Sequence, residues 1–219
     1  MLARDQVLSK MIIILTKTSM RPVLARSAGV SLALAIGAAV VPAHAAQPVV
    51  VAVDGTLCDL TKTLAAGAAS VTCLIPPGGD PHSYRLKPSD RSQIAKSDLV
   101  LHIGFGLTPS AKKLKSPGTV VAVGEVALPS YGGSDPHVWH DPANSAAMVR
   151  VISSSLAPVL PASDRAALQQ RTARAVAVLQ ALQSWEAKQF SSLPPAQRVL
   201  VTDHRTCLLY TSPSPRDIS

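Results

Sequence analysis

Aromatic side chains make up only 3% of this chain of 219 residues, as two Trp, three Tyr and two Phe. Cationic runs are scarce too, and none is longer than the pair Lys112-Lys113. Both shortages bear on the formal charge of +8, which taken alone points to nucleic acid. Such binding needs a basic patch with aromatic platforms on which bases stack, and the chain offers neither. The charge is also divided. Residues 1–45 carry Arg4, Lys10, Lys17, Arg21 and Arg26 against Asp5, a net +4, and residues 46–206 hold 15 Lys/Arg and 11 Asp/Glu, again +4. In the last 13 residues Arg216 balances Asp217. The folding part is only mildly basic, and no nucleic-acid partner is expected.

Long apolar runs are also lacking. The run from Ala28 to Val41 is about 14 residues, short of the about 20 that a spanning helix needs. It follows Arg21 and Arg26 and is closed by Ala43-His44-Ala45. A charged start, an apolar middle and an A-x-A end read as a secretory signal peptide over residues 1–45, rather than a membrane anchor. Met20 is the better start, so residues 1–19 read as an over-extended beginning. The mature chain is expected to begin near Ala46, soluble outside the cytoplasmic membrane. No Cys directly follows the cleavage point, which argues against a lipid anchor. At the other end, Cys207 to Asp217 reads "CLLYTSPSPRD", which resembles a translated sequencing adapter at every position. Residues 207–219 are therefore expected to be a non-native tail on a truncated chain.

Between these ends, short β-branched runs alternate with helical stretches. Strands are expected at 48–53, 70–75, 98–104 and 119–124. The helical stretches between them are "GTLCDLTKTLAAGA", "KPSDRSQIAKSD" with Ser89 as cap, and "SAKKLK". This alternation implies an α/β fold with a parallel sheet covered on both faces. Asp141-Pro142 then start a helix to about Leu156. Ser163 caps a second helix to about Phe190, with Leu168, Ala175, Leu179, Leu182 and Trp185 as its apolar stripe. At 1.5 Å per residue that helix spans roughly 40 Å, longer than one small lobe needs. "RVLVT" at 198–202 reads as the first strand of another lobe. The expected organisation is a lobe at 46–160, a connecting helix at 161–195 and the start of a second lobe at 196–206.

No His-Glu-x-x-His occurs, no Ser or Cys nucleophile has a recognisable setting, and "PPGGD" lacks the Lys-Ser/Thr ending of a phosphate loop. What the chain does contain is Asp-Pro-His twice, at 80–82 and 135–137, although it has only six His. His82, His137 and His204 each follow an expected strand, and ligands of open α/β sheets bind beyond the carboxyl ends of strands. Pro before His82 and before His137 stiffens each loop. Neutral imidazoles without thiolates suit zinc- and manganese-like ions. His140 reads as a supporting or solvent group and His102 as a core or edge histidine. Cys58 and Cys73 are either a disulfide, which export permits, or two small buried hydrophobes.

The stretches "LIPPGGDPHSYRLKPSD", "DPHVWHDP" and "VLVTDH" resemble the three metal-site motifs of zinc/manganese ABC-importer solute-binding proteins, and the resemblance covers about residues 48–206. It implies a two-lobed α/β protein whose parallel-sheet lobes are joined by a long rigid helix, with one metal ion in the cleft. The ligands it implies here are His82, His137 and His204. A fourth, acidic ligand lies further on in the family, beyond the end of this chain. Many zinc-type members carry a His-rich loop before the second motif, and "ALPSYGGSDPH" has none. The implied function is periplasmic capture of a divalent ion, Zn2+ with Mn2+ as the alternative. The protein would be a monomer that delivers the ion to a membrane permease and its ATPase, without catalysis. Two rivals remain open: a secreted zinc hydrolase using Asp80 or Asp135 as base, although Pro follows each, and a metal-binding surface adhesin on the same scaffold.

Overall fold

The computed structural model describes residues 46–194 and 197. Four short parallel strands form one sheet: β1 Val49–Ala52, β2 Ser70–Cys73, β3 Leu99–His102 and β4 Thr119–Ala122, in the order β2-β1-β3-β4. The order follows from two excursions. The chain leaves β1 for β2 on one side, then crosses back to place β3 and β4 on the other. The reversal falls between β1 and β3. In doubly wound sheets the crevice beyond the strand ends at that point is where ligands sit.

β1 and β3 are central and covered on both faces, which is why β1 reads as an unbroken apolar run and β3 does so up to His102. Val50, Ala52, Leu99 and Leu101 face one layer, with Leu57 and Leu64 of α1 (Gly55–Ala65), Met148, Val149 and Ile152 of α4 (Pro142–Leu156), and Leu168 of α5 (Arg165–Ser192). Val51, Val53 and Val100 face the other, with Ile94 of α2 (Pro88–Ile94) and Ala111. The fold is the expected α/β architecture: a parallel sheet between two layers and a long helix at the end. The strands are shorter than expected, but Leu74 and Ile75 keep pairing with the carbonyls of Ala52 and Val53 beyond the end of β2.

Several boundaries differ from the sequence expectation. Ser89 does not cap α2. Pro88 occupies the first helical position after extended Lys87, and Asp90 reaches back to accept the Lys87 N–H at 2.8 Å. Ser163 does not cap α5 either. It lies inside a 3-10 turn, Ala162–Asp164, that Pro161 initiates. "SAKKLK" forms only the single turn Pro109–Ala111, because so short a segment cannot offset helix nucleation. A short helix that the sequence reading passed over, α3 (Val123–Ala127), follows β4 directly.

Cys58 and Cys73 are bridged, with a Cα–Cα distance of 5.5 Å. The bond ties the first turn of α1 to the last residue of β2, just before the loop that carries His82. Arg171 of α5 donates from Nε to the Leu64 carbonyl at 2.6 Å and from Nη2 to that of Ala65 at 3.4 Å, closing the carboxyl end of α1. The expected signal peptide at 1–45, the strand at 198–202, His204 and the tail at 207–219 lie outside the described residues.

Candidate metal centre

Each Asp-Pro-His folds as the same turn. Asp80 Oδ1 accepts the His82 N–H at 2.9 Å, and Asp135 Oδ1 accepts the His137 N–H at 3.0 Å. The carboxylate mimics a backbone acceptor two residues back, while Pro removes a competing donor and fixes φ. Asp80 is held further by the Ser83 hydroxyl at 2.7 Å, and these two hydrogen bonds pull its carboxyl below the usual range. The loop around His82 is stapled by Tyr84, whose hydroxyl points at the Leu74 carbonyl at 2.9 Å and at Asp90 Oδ2 at 2.8 Å. Burial, then the Asp90 carboxylate, pushes that phenol up to about 12, so it stays a donor.

These two loops leave different strands, yet they bring His82 Nε2 and His137 Nε2 to 3.0 Å. Zinc–nitrogen bonds of about 2.0–2.1 Å at a tetrahedral angle would separate two ligand nitrogens by about 3.3 Å, so the pair fits one small cation. The tautomers follow from the partners. Asp135 Oδ1 lies 2.6 Å from His137 Nδ1. A carboxylate only accepts, so Nδ1 carries the proton and Nε2 keeps its lone pair. In the metal-free pair a hydrogen bond joins the two Nε2 atoms, and a cation bound between them would need both Nε2 lone pairs, with the His82 proton held on its own Nδ1. His137 is buried, whereas His82 is exposed, so the pair is open from the His82 side.

The sequence reading placed Asp135 as a base turned aside by Pro136. The structure shows it gripping His137 by both the backbone and the ring. The signal that could have revealed this is the Asx-Pro-His turn itself, which holds the acid beside the imidazole two residues on. A further acid that the sequence did not flag is Asp54, at the end of β1. Its Oδ1 accepts the Leu57 N–H at 3.0 Å as the cap of α1, and its Oδ2 is buried without a hydrogen bond. Burial raises its pKa to about 6 against the pull of nearby N–H groups.

His140 is exposed, its ring 6.5 Å from that of His137 and 5.3 Å from that of Trp139. Burial and then the charge of His137 lower its pKa. It stands beside the pair. His102 is half-buried at the end of β3. Burial lowers its pKa against the opposing charge of Glu125. Among the described residues no cluster of three or more His, Cys, Asp or Glu is placed to hold a metal ion.

Residues 50–211 match the family described as "ZnuA: Zinc-uptake complex component A periplasmic". The chain belongs to this family. It is 33% identical over 168 residues to the zinc-binding protein TroA of Treponema pallidum, covering 72% of this chain and 54% of the relative. The solved TroA structure superposes with a TM-score of 0.63 at 29% identity, over 68% of this chain and 57% of that one. The manganese-binding lipoprotein MntA of Halalkalibacterium halodurans is 33% identical over 151 residues, 65% of this chain and 50% of the relative. The Fe(III)-bound YtgA structure from Chlamydia trachomatis gives a TM-score of 0.61 at 25% identity, over 67% of this chain and 55% of that one. The chain spans about half the length of the curated relatives it matches. None of its described helices is long and apolar enough to cross a membrane.

Proposed function

We propose that this chain is the metal-capturing part of an extracytoplasmic solute-binding protein. It takes up a divalent ion, zinc in preference to manganese, and passes it to the permease and ATPase of an ABC importer. The observation that carries this reading is the approach of His82 Nε2 and His137 Nε2 to 3.0 Å from two separate loops. Family membership supports the transport role, and the zinc-binding and manganese-binding relatives frame the choice of ion. His204 is the third ligand in this reading. Residues 1–45 export the chain, 46–160 form the metal-binding lobe, 161–195 the connecting helix and 196–206 the opening of a second lobe.

Capture needs no covalent chemistry. Asp135 keeps the His137 ring in the tautomer whose Nε2 faces outward, so the ion meets a prearranged lone pair. Both candidate bases for a hydrolase are already engaged, Asp80 with Ser83 and the His82 N–H, Asp135 with His137. This favours binding over turnover. The test is competitive zinc titration of the full chain and of His82→Ala, His137→Ala and His204→Ala. Each variant should lose at least tenfold in affinity. Wild-type binding that survives all three substitutions would falsify the site.

A further inference from the structure

Three consecutive residues after β3 have left-handed backbones: Gly104 at φ +89°, Phe105 at +50° and Gly106 at +72°. Glycine adopts this region freely, whereas a bulky Phe does so only when its surroundings hold it there. Two neighbours hold it. The Phe105 N–H donates to Glu125 Oε1 at 2.6 Å. That carboxylate side chain crosses Gly104 so closely that a Cβ there would stand 2.7 Å from Glu125 Cγ. The Phe105 ring meets Tyr131 edge to face, with centroids 5.1 Å apart.

Tyr131 in turn reaches along its own loop. Its N–H donates to the Leu128 carbonyl at 3.0 Å, and its hydroxyl donates to the Asp135 carbonyl at 2.9 Å. The hydroxyl fills the place where a Cβ on Gly133 would stand, so the "YGGSD" stretch is shaped around the phenol. Asp135 then grips His137 at both the backbone N–H and Nδ1. Contacts therefore run unbroken from the strained turn after β3 to the imidazole.

We propose that Tyr131, buttressed by Phe105, is a positioning residue that fixes the tautomer and orientation of His137. Apart from Leu128 and Tyr131, the loop between α3 and His137 is built from Pro, Ser, Gly and Asp, and it has no regular structure to stiffen it. The Asp135 carboxylate stays aimed at Nδ1 only while the Asp135 backbone is fixed, and the phenol supplies that fixed point. Removing the hydroxyl frees the loop, and the ring then samples both tautomers, one of which turns a protonated Nε2 outward. The bearing on metal capture rests on the proposed function, whereas the effect on the imidazole does not.

The test uses Tyr131→Phe, which keeps the ring packing and removes one hydrogen bond, and Gly133→Ala, which displaces the phenol by a separate route. Imidazole 15N spectra of the metal-free full chain report the His137 tautomer, and zinc competition reports affinity. Both variants should convert a single Nδ1–H tautomer into a mixture. Both should weaken zinc binding by about tenfold, in the range for groups that orient metal ligands. An unchanged His137 spectrum in both variants overturns the proposal, whatever zinc does. Failure of the wild-type chain to bind zinc would remove the metal reading and leave the tautomer measurement to decide this one.

Discussion

At the scale of single residues, two acids with opposite surroundings give separable predictions. Asp135 acts through His137, so Asp135→Asn should weaken zinc binding by about 10–100-fold, since an amide cannot hold the ring as a carboxylate does. Competitive titration against a chelator of known affinity measures this, and a loss below threefold would argue that the contact is incidental. Asp54 is buried, with its pKa raised from 3.8 to about 6. Between about pH 4 and 6 the folded chain therefore binds more protons than the unfolded chain, and stability falls as pH rises through that window. At 1.36 kcal/mol per unit the upper bound is about 3 kcal/mol. Asp54→Asn keeps a good helix cap and stays neutral. Relative to wild type, it should gain about 1–3 kcal/mol in urea unfolding between pH 4.5 and 7.5. A flat difference would mean that Asp54 stays ionised in the fold. His82 and His137 were legible in the sequence because Pro and the repeated motif mark them. Asp54 and Tyr131 were not, because burial and a bond across a loop exist only after the chain has folded.

At the scale of elements, the start of α4 was readable to the residue, since Asp141 and Pro142 combine a cap with a fixed φ, and Asp141 Oδ1 accepts the Ala143 N–H at 2.7 Å. The stripe of α5 was readable only in its first half. Leu168 is 1% exposed and packs in the core, whereas Leu182 and Trp185 are 40% and 59% exposed. Periodicity names a face and says nothing of how far along it a partner extends. Leu168→Ala should thus cost about 2–4 kcal/mol of unfolding free energy, while Trp185→Ala should stay within about 0.5 kcal/mol. Similar losses in urea melts of the two variants would show that the outer half of α5 is also packed in solution. The disulfide acts at the same scale, tying α1 to β2 across a separation of 15 residues. A loop of that size should contribute about 3 kcal/mol by restricting the unfolded chain. Replacing both cysteines by Ser should lower the urea midpoint accordingly, and added reductant should then have no further effect on the variant.

At the scale of the whole molecule, the strand order explains why two distant motifs meet. β2 and β4 are the outer strands, on either side of the reversal between β1 and β3, and the segments that follow them bring His82 and His137 together. The alternation of strands and helices foretold the layers. It could not foretell the approach of Nε2 to Nε2, which depends on how α3 and the loop after it turn back over the sheet. That approach bears on the choice of ion. Two neutral imidazoles, with His204 as the proposed third, form a nitrogen-rich set that suits zinc, whereas manganese prefers harder oxygen donors and higher coordination. A relative named for manganese sets the opposing expectation, so the competition has to be run directly. With the full chain loaded with one equivalent of zinc at fixed pH, a hundredfold excess of manganese should displace less than half of it, as followed by a zinc-sensitive dye. Displacement at equimolar manganese would reverse the assignment, and would mean that oxygen donors outside the described residues dominate the site.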